Sequence, residues 1–398
     1  MRLIPLPLLR LALAGLAATL VGVGLARFAY APLITPMVEQ GWFSATQTAW
    51  LGAANLLGYL VGALAGAPLA RRFGGGRVIR LNLILTTAAL AACLWPAPFA
   101  WFAFWRGLAG ASGAILMVVA VSEALGRTPA RHRPAVGAVM FSGIGIGVAF
   151  SGMVVPGMAG AHAAMGWATL AGAALLATVL SLRTWSRPAR TNGGDEAPKP
   201  RWQPRRYSDR TAVLLLAAGY CLVAVGYIPH TVFWVDYLAR EVGLGLDRAS
   251  AYWTLFGLGA LIGALLAGAA ARRFGFAPAL AATLGLMGLA TLLPSVWPFG
   301  PVLFGSSLFM GATTPGMVVL VSGRLSELCP PGHQARLWGR LTAAFALTQA
   351  AAAWAHSMLF TWSGSYRPLL WLGGAALLVA AGLAVRAAWP HRRRTAAR

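Results

Sequence analysis

The chain has 398 residues, 58% of them hydrophobic and 10% charged, with a formal net charge of +23. Soluble domains carry about 25% charged residues, so a mean hydropathy of +0.69 excludes a water-soluble globule and leaves an integral membrane protein. The basic residues stand in short clusters between apolar runs, not on one face or stripe, which excludes a nucleic-acid partner.

A bilayer-crossing helix needs about 20 mostly apolar residues. Twelve such runs are predicted, and the first, 11–37, follows Arg2 and Arg10 and continues past any signal-peptide cleavage point as an uncleaved helix. It carries Arg27 and Tyr30 and is followed by Glu39. The second, 47–70, carries Asn55 and Tyr59 and runs into the pentapeptide ARRFG at 70–74. After a third at 78–95, the fourth, 99–125, holds Arg106, Ser112 and Glu123. The fifth and sixth cover 135–158 and 164–182. Residues 183–210 then bring eight Lys/Arg and four Pro without apolar periodicity, the composition of a flexible linker.

The seventh run, 211–238, holds Tyr227, His230 and Asp236, and the eighth, 249–271, leads into a second ARRFG at 271–275. The ninth and tenth cover 277–294 and 299–325, with Glu327 just beyond. The eleventh, 338–360, carries Gln349 and His356, and the twelfth, 368–388, precedes a basic tail. Cys93, Cys221 and Cys329 have no pairing or metal-ligand spacing, and neither a zinc-protease signature, a phosphate loop nor a dinucleotide fingerprint occurs. No metal or cofactor is therefore expected.

The chain is an internal duplication. GYLVGALAGAPLARRFG (58–74) and GALIGALLAGAAARRFG (259–275) agree at ten of seventeen positions, and MVVAVS (117–122) returns as MVVLVS (317–322). The expected organisation is two parallel six-helix repeats, 1–182 and 211–398, joined by a cytoplasmic linker at 183–210. With the N-terminus inside, the tails, inner loops and adjoining helix ends hold 27 of the 32 Lys/Arg, so both termini are expected in the cytoplasm. Small residues four apart (Gly58, Gly62 and Gly66, Gly143 and Gly147, Gly259 and Gly263) mark close helix crossings, within one half or between halves.

These features resemble the major facilitator superfamily, whose loop motif after helices 2 and 8 runs Gly-x-Leu-Ala-Asp-Arg-x-Gly-Arg-Arg. APLARRFGGGR (67–77) keeps Leu69, Ala70, Arg72 and Gly74, with Arg77 close behind, but has Ala67 for the first Gly and Arg71 for the Asp. Arg106 and Gly110 meet the superfamily's Arg-x-x-x-Gly on helix 4. Gly143, Gly147 and Gly152 meet half of its antiporter motif on helix 5, with Val148 and Ser151 replacing Pro and Gly, so uptake and efflux both stay open. GLARFAYAPL (24–33) and GWFSATQTAWLGAANLLGYLVGAL (41–64) are similar to the bacterial YbfB/YjiJ-type branch. The resemblance implies an all-α, twelve-helix secondary transporter of the bacterial inner membrane, a monomer moving a small solute by alternating access, and helices 1, 4 and 7 lining its cavity.

Embedded polar groups cost free energy unless paired or wet, so they are the site candidates. Arg27, Arg106 and His230 are expected to converge on an anion-attracting chamber, with hydrogen bonds from Tyr30, Asn55, Tyr59, Tyr227 and Gln349. The alternative for each arginine is a bond to backbone carbonyls or to Glu39 or Asp236. Protons are the expected coupling ion, with His230, His356 and Asp236 as titrating candidates and Arg106 as a neighbour that tunes them. Glu123 is expected to latch Arg71, Arg72 and Arg77, and Glu327 to latch Arg272 and Arg273, at a cytoplasmic gate. The alternative is that these arginines bind anionic lipid headgroups. Anionic or polar cargo is favoured, with multidrug efflux of hydrophobic or cationic compounds as the alternative. Two further classes are a non-transporting receptor or scaffold and an intramembrane serine protease built on Ser112 in GASG (110–113), which would need a histidine as its base.

Overall fold

The structure is a computed structural model and describes residues 5–159, 162–186, 210–329 and 334–395. The expected linker therefore lies outside the described residues, apart from its ends. Among the described residues twelve long helices follow one another: α1 Leu6–Glu39, α2 Ala45–Phe73, α3 Gly75–Ala91, α4 Phe99–Gly126, α5 Arg133–Ala159 and α6 Ala163–Trp185. The second six are α7 Arg210–Glu241, α8 Gly245–Phe274, α9 Phe276–Val296, α10 Gly300–Leu328, α11 Gln334–Ser363 and α12 Arg367–Thr395. Ten are long and apolar enough to cross a membrane. The exceptions are α3, with 17 residues, and α11, whose apolar run is interrupted by Gln349 and His356.

Local chemistry sets the helix ends. Ser44 caps α2: its Oγ accepts from Gln47 N at 3.1 Å while Gln47 Oε1 accepts from Ser44 N at 2.9 Å. At the other end the last residue of each ARRFG stops its helix. Gly74 and Gly275 take φ of 86° and 84°, a region that a side chain resists, so the repeated pentapeptide is a repeated helix stop.

The duplicated glycines pack within each set of six helices. A Cβ at Gly58 or Gly62 would strike the carbonyls of Gly107 or Ala111 on α4. One at Gly259 or Gly263 would strike those of Leu308 or Ala312 on α10. These two crossings are one interface built twice, 201 residues apart. Gly143 and Gly147 likewise meet α1, at Leu16 and Gly24. Contact between the first and last six helices falls on other residues: Gly145 and Gly152 on α5 meet Gly257 and Thr254 with their neighbours on α8.

The seam between the two sets is closed at one end. Near the 40–44 turn, Ser357 Oγ donates to Ala49 O (3.1 Å), Trp253 Nε1 to Ser151 Oγ (3.1 Å) and Thr35 Oγ1 to Asp236 Oδ1 (2.8 Å). No hydrogen bond crosses the seam at the ARRFG end among the described residues. From Leu57 to Phe73 only Gly62 and Gly66 of α2 are buried, both against α4. The helices part toward that end.

Gly62→Val and Gly263→Val force the same backbone collision in each set. Each is expected to cost about 1–3 kcal/mol of stability, read as a lower melting temperature in detergent. Gly172→Val, which meets nothing within 4 Å, should melt like the wild type.

Candidate functional site

Two prolines and the glycines between α4 and α5 interrupt α1 in mid-membrane. Residues 20–25 widen into an under-wound π-helical turn, Phe28–Tyr30 form a 3-10 turn, and regular helix resumes at Ala31. Pro32 has no N–H to offer Phe28, whose carbonyl accepts from Ala31 N instead. The interruption leaves the carbonyl of Ala26 without a helical donor, and side chains replace it. Arg106 Nη1 donates to Ala26 O at 2.7 Å, and Asn55 Nδ2 reaches it at 3.5 Å while donating to Arg106 O at 2.9 Å.

The expected three-cation chamber is therefore not what these residues form. Arg106 is 2% exposed, its guanidinium 4.2 Å from the centre of the Tyr30 ring and 5.9 Å from that of Trp167. Tyr30 Oη donates to Thr48 O at 2.8 Å. Arg106, Asn55 and Tyr30 are thus buried ties among α1, α2 and α4, the carbonyl-bound alternative read from the sequence. His230 is elsewhere too: its Nε2 lies 2.8 Å from Ser306 Oγ and its ring stacks on Trp234. Ser306 gives its own proton to Ala290 O (2.7 Å), so His230 is the donor and its proton sits on Nε2. His356 is fully buried with Nδ1 2.7 Å from Ala352 O.

Arg27 differs from all of these. It is partly exposed, and its guanidinium lies 5.0 Å from the ring centres of Phe28 and Tyr59 and 5.7 Å from that of Tyr227. Its Nη2 donates to Tyr227 Oη across the seam. No carboxylate pairs with it among the described residues. Arg27 and Tyr227 occupy nearly equivalent positions of the two repeats, 200 residues apart, so the contact falls where the repeats face each other. Phe345 on α11 packs on Tyr220 and Tyr227, with ring centres 4.5 and 5.8 Å away, and extends the aromatic lining. The result is a cation on a bed of rings, open to an anion that is also flat.

A second polar cluster stands at the closed end of the seam. Asp236 is fully buried and accepts from Thr35, from Arg240 Nε at 2.6 Å, and from Arg240 Nη2 and Tyr366 Oη. Glu241 beside it accepts from Ser365 Oγ (2.7 Å) and Tyr366 N (2.6 Å), with Arg367 at 3.6 Å. Sequence reasoning had Asp236 without these partners. Arg240 was findable, because a basic residue four positions after an acid shares its helix face. Thr35 and Tyr366 gave no signal, the first being one of many hydroxyls and the second lying between spans.

At the ARRFG end the expected latch pairs are not made in this conformation. Glu123 pairs with Arg127 at 2.5 Å, one turn away, and its carboxylate lies against Gly75 at the start of α3. Glu327 pairs with Arg324 at 2.7 Å, and Arg324 also donates to Ala387 O, tying α10 to α12. Each acid has taken an arginine within one turn of itself. Arg71, Arg72, Arg77, Arg272 and Arg273 have no carboxylate partner among the described residues. Arg72 and Arg273 lie over Phe73 and Phe274 at 5.3 and 5.5 Å, repeating the duplication.

The protease reading fails on geometry. Ser112 Oγ accepts from Thr86 Oγ1 (2.7 Å) and donates to Leu108 O (2.8 Å), with no histidine bonded to it. No group of metal-ligating side chains occurs among the described residues. A groove of about 840 Å³ opens between α2, α4 and α11, lined by Trp50, Leu57, Phe99 and Trp354 among others, an apolar lining apart from Gln47.

The fold is shared with solved transporters. The chain aligns with the crystal structure of a D-xylose-proton symporter at a TM-score of 0.74 and 16% identity, covering 95% of this chain and 96% of that one. It aligns with the partially occluded inward-open xylose transporter XylE of E. coli at 0.73 and 16% identity, covering 94% and 97%. Among curated proteins, the 3-(3-hydroxy-phenyl)propionate transporter of Escherichia coli strain K12 is 28% identical over 56% of this chain, and the match spans 55% of that protein's length. The gentisate transporter of Corynebacterium glutamicum is 24% identical over 89% of this chain and 82% of its own. The 4-hydroxybenzoate transporter PcaK of Acinetobacter baylyi is 26% identical over 61% of each. The profile of a family described as "Uncharacterised MFS-type transporter YbfB" matches residues 19–385, nearly the whole chain. With that match, and twelve helices in the shared fold, the chain belongs to the YbfB-type family of the major facilitator superfamily.

Proposed function

We propose that the chain is a secondary transporter of the bacterial inner membrane that moves small aromatic carboxylates by alternating access, with Arg27 as the carboxylate-binding group. The observation that carries this reading is the Arg27 guanidinium, set among Phe28, Tyr59 and Tyr227 at the seam with no acid among the described residues to neutralise it. A planar anion satisfies both halves of that environment, charge with charge and ring with ring. The names of three relatives, each transporting an aromatic acid, support the same class. Bound cargo would compete with Tyr227 for Arg27, so arrival of the anion would loosen a contact between the repeats.

In this reading the repeats are two rocking bodies, 1–182 and 211–398, and the cluster of arginines at the ARRFG end faces the cytoplasm. Those arginines meet anionic lipid headgroups, and the conformation described is closed outside and parted inside. One chain carries both bodies and works as a monomer. Asp236 is the best-placed coupling group. It is a buried carboxylate whose partners, Thr35 on one side and Arg240 and Tyr366 on the other, separate when the outer seam opens. Opening would expose Asp236 to protons, and closing would re-pair it. His230 and His356 are each committed to a hydrogen bond within the second repeat and have no such link across the seam. The apolar groove beside α2 and α11 favours a second reading, export of hydrophobic compounds entering from the bilayer.

Arg27→Gln is expected to weaken benzoate binding by about 10- to 100-fold, the loss of a charge-assisted contact, measured calorimetrically on purified protein. Hydrophobic cations that bind both proteins equally, with no benzoate binding to either, would transfer the assignment to the groove. Arg106→Gln is expected to lower the melting temperature by several degrees while leaving the relative affinities for different carboxylates unchanged. Asp236→Asn is expected to abolish accumulation driven by a proton gradient in proteoliposomes but to retain exchange of labelled for unlabelled substrate. Accumulation at the wild-type level would remove Asp236 from coupling.

A further inference from the structure

The α11 helix presents two faces. Leu347, Trp354 and Met358 are half exposed or more and point outward, whereas Gln349, Ala353 and His356 are buried. Gln349 is 1% exposed, and its Nε2 has no hydrogen-bond partner among the described residues. It stands one turn from Phe345, on the same face, and Phe345 packs on the Tyr227 ring that bonds Arg27. The Ser357–Ala49 bond fixes the register of antiparallel α11 and α2, which brings Gln349 level with residues 56–57, within a turn of Tyr59. A buried amide donor left unpaired costs about 1–3 kcal/mol. A glutamine is also a poor choice for filling space beside Phe345, Ala346, Ala352 and Ala353, its neighbours on that face.

We infer that Gln349 is a specificity-determining residue: its amide donates to a hydroxyl oxygen on the ring of an aromatic carboxylate whose carboxylate is held by Arg27. The inference rests on the proposed carboxylate site and adds which members of the class are selected. Arg27 and Gln349 stand on helices of opposite repeats, α1 and α11: Arg27 packs on Tyr59 and Tyr227, and Gln349 follows by one turn the Phe345 that packs on Tyr227. A hydroxylated ring lying on that lining offers one polar group to each. An unsubstituted ring leaves the amide unpaired and forgoes the benefit.

The test is titration calorimetry on the purified full chain with benzoate, 3-hydroxybenzoate and 4-hydroxybenzoate. The wild type should bind at least one hydroxybenzoate about tenfold tighter than benzoate, the worth of one net hydrogen bond. Gln349→Met, which keeps length and volume, and Gln349→Leu should bind the three acids within about twofold of one another, with benzoate affinity close to wild type. Discrimination that survives in either variant overturns the inference. So does a wild type that binds benzoate and both hydroxybenzoates equally, a result that needs no variant to fold. If benzoate binding is lost in Arg27→Gln while discrimination ignores residue 349, the carboxylate site stands and only the role of Gln349 falls. If no aromatic carboxylate binds the wild type, both fall.

Discussion

A backbone carbonyl inside a bilayer needs a donor, and the carbonyl of Ala26 determines much of this molecule. Lipid offers no hydrogen bonds, so an interruption in a membrane helix persists only where protein side chains complete it. Arg106 and Asn55 complete this one, from α4 and α2. The interruption in turn re-aims the chain after residue 26, which places Arg27 toward the seam and Tyr30 back against Arg106. One buried tie thus lets a neighbouring arginine stay free. The two arginines stand in different settings because a backbone carbonyl occupies Arg106, whereas Arg27 lies among aromatic rings and reaches Tyr227.

Duplication explains the scaffold and departs from symmetry where function is proposed. The α2–α4 crossing and the α8–α10 crossing use the same close contacts, and both ARRFG segments end their helices in the same way. Along the seam the equivalent positions differ in chemistry. Arginine faces tyrosine at 27 and 227, and threonine faces aspartate at 35 and 236. Identical residues facing across such an axis would repel if charged and have no donor–acceptor order if polar. Divergence of the copies converts those positions into bonds.

The spans were legible in the sequence because a bilayer imposes a length and an apolarity that few other constraints mimic. The structure extends many of the predicted ends by two to five residues, carries α12 seven residues further and ends α3 four residues earlier, at Ala91. The glycines were legible as close crossings, but not which helices they join, since spacing is a property of one helix and crossing of two. The arginines show the same limit. The cost of burying Arg27 or Arg106 is the same on any insertion scale, and only the fold reveals whether a carbonyl or an open site offsets it. Asp236 is legible as an acid near an outer helix end, a candidate for coupling or for pairing with Arg27 or Arg106, but its actual partners are not. Its partners at 35 and 366 come from distant segments, and no local pattern links them.

The unneutralised guanidinium of Arg27 has an electrical consequence. A charge carried across a membrane exchanges about 2.3 kcal/mol with each 100 mV of potential. If the surroundings of Arg27 shift from one aqueous phase to the other as the repeats rock, the empty carrier moves one positive charge through part of that field. A bound monoanion cancels it. Return of the empty protein is then the voltage-sensitive half of the cycle, and passage of the loaded protein is nearly indifferent to potential. The membrane voltage would set how fast the carrier resets without pulling on the cargo itself.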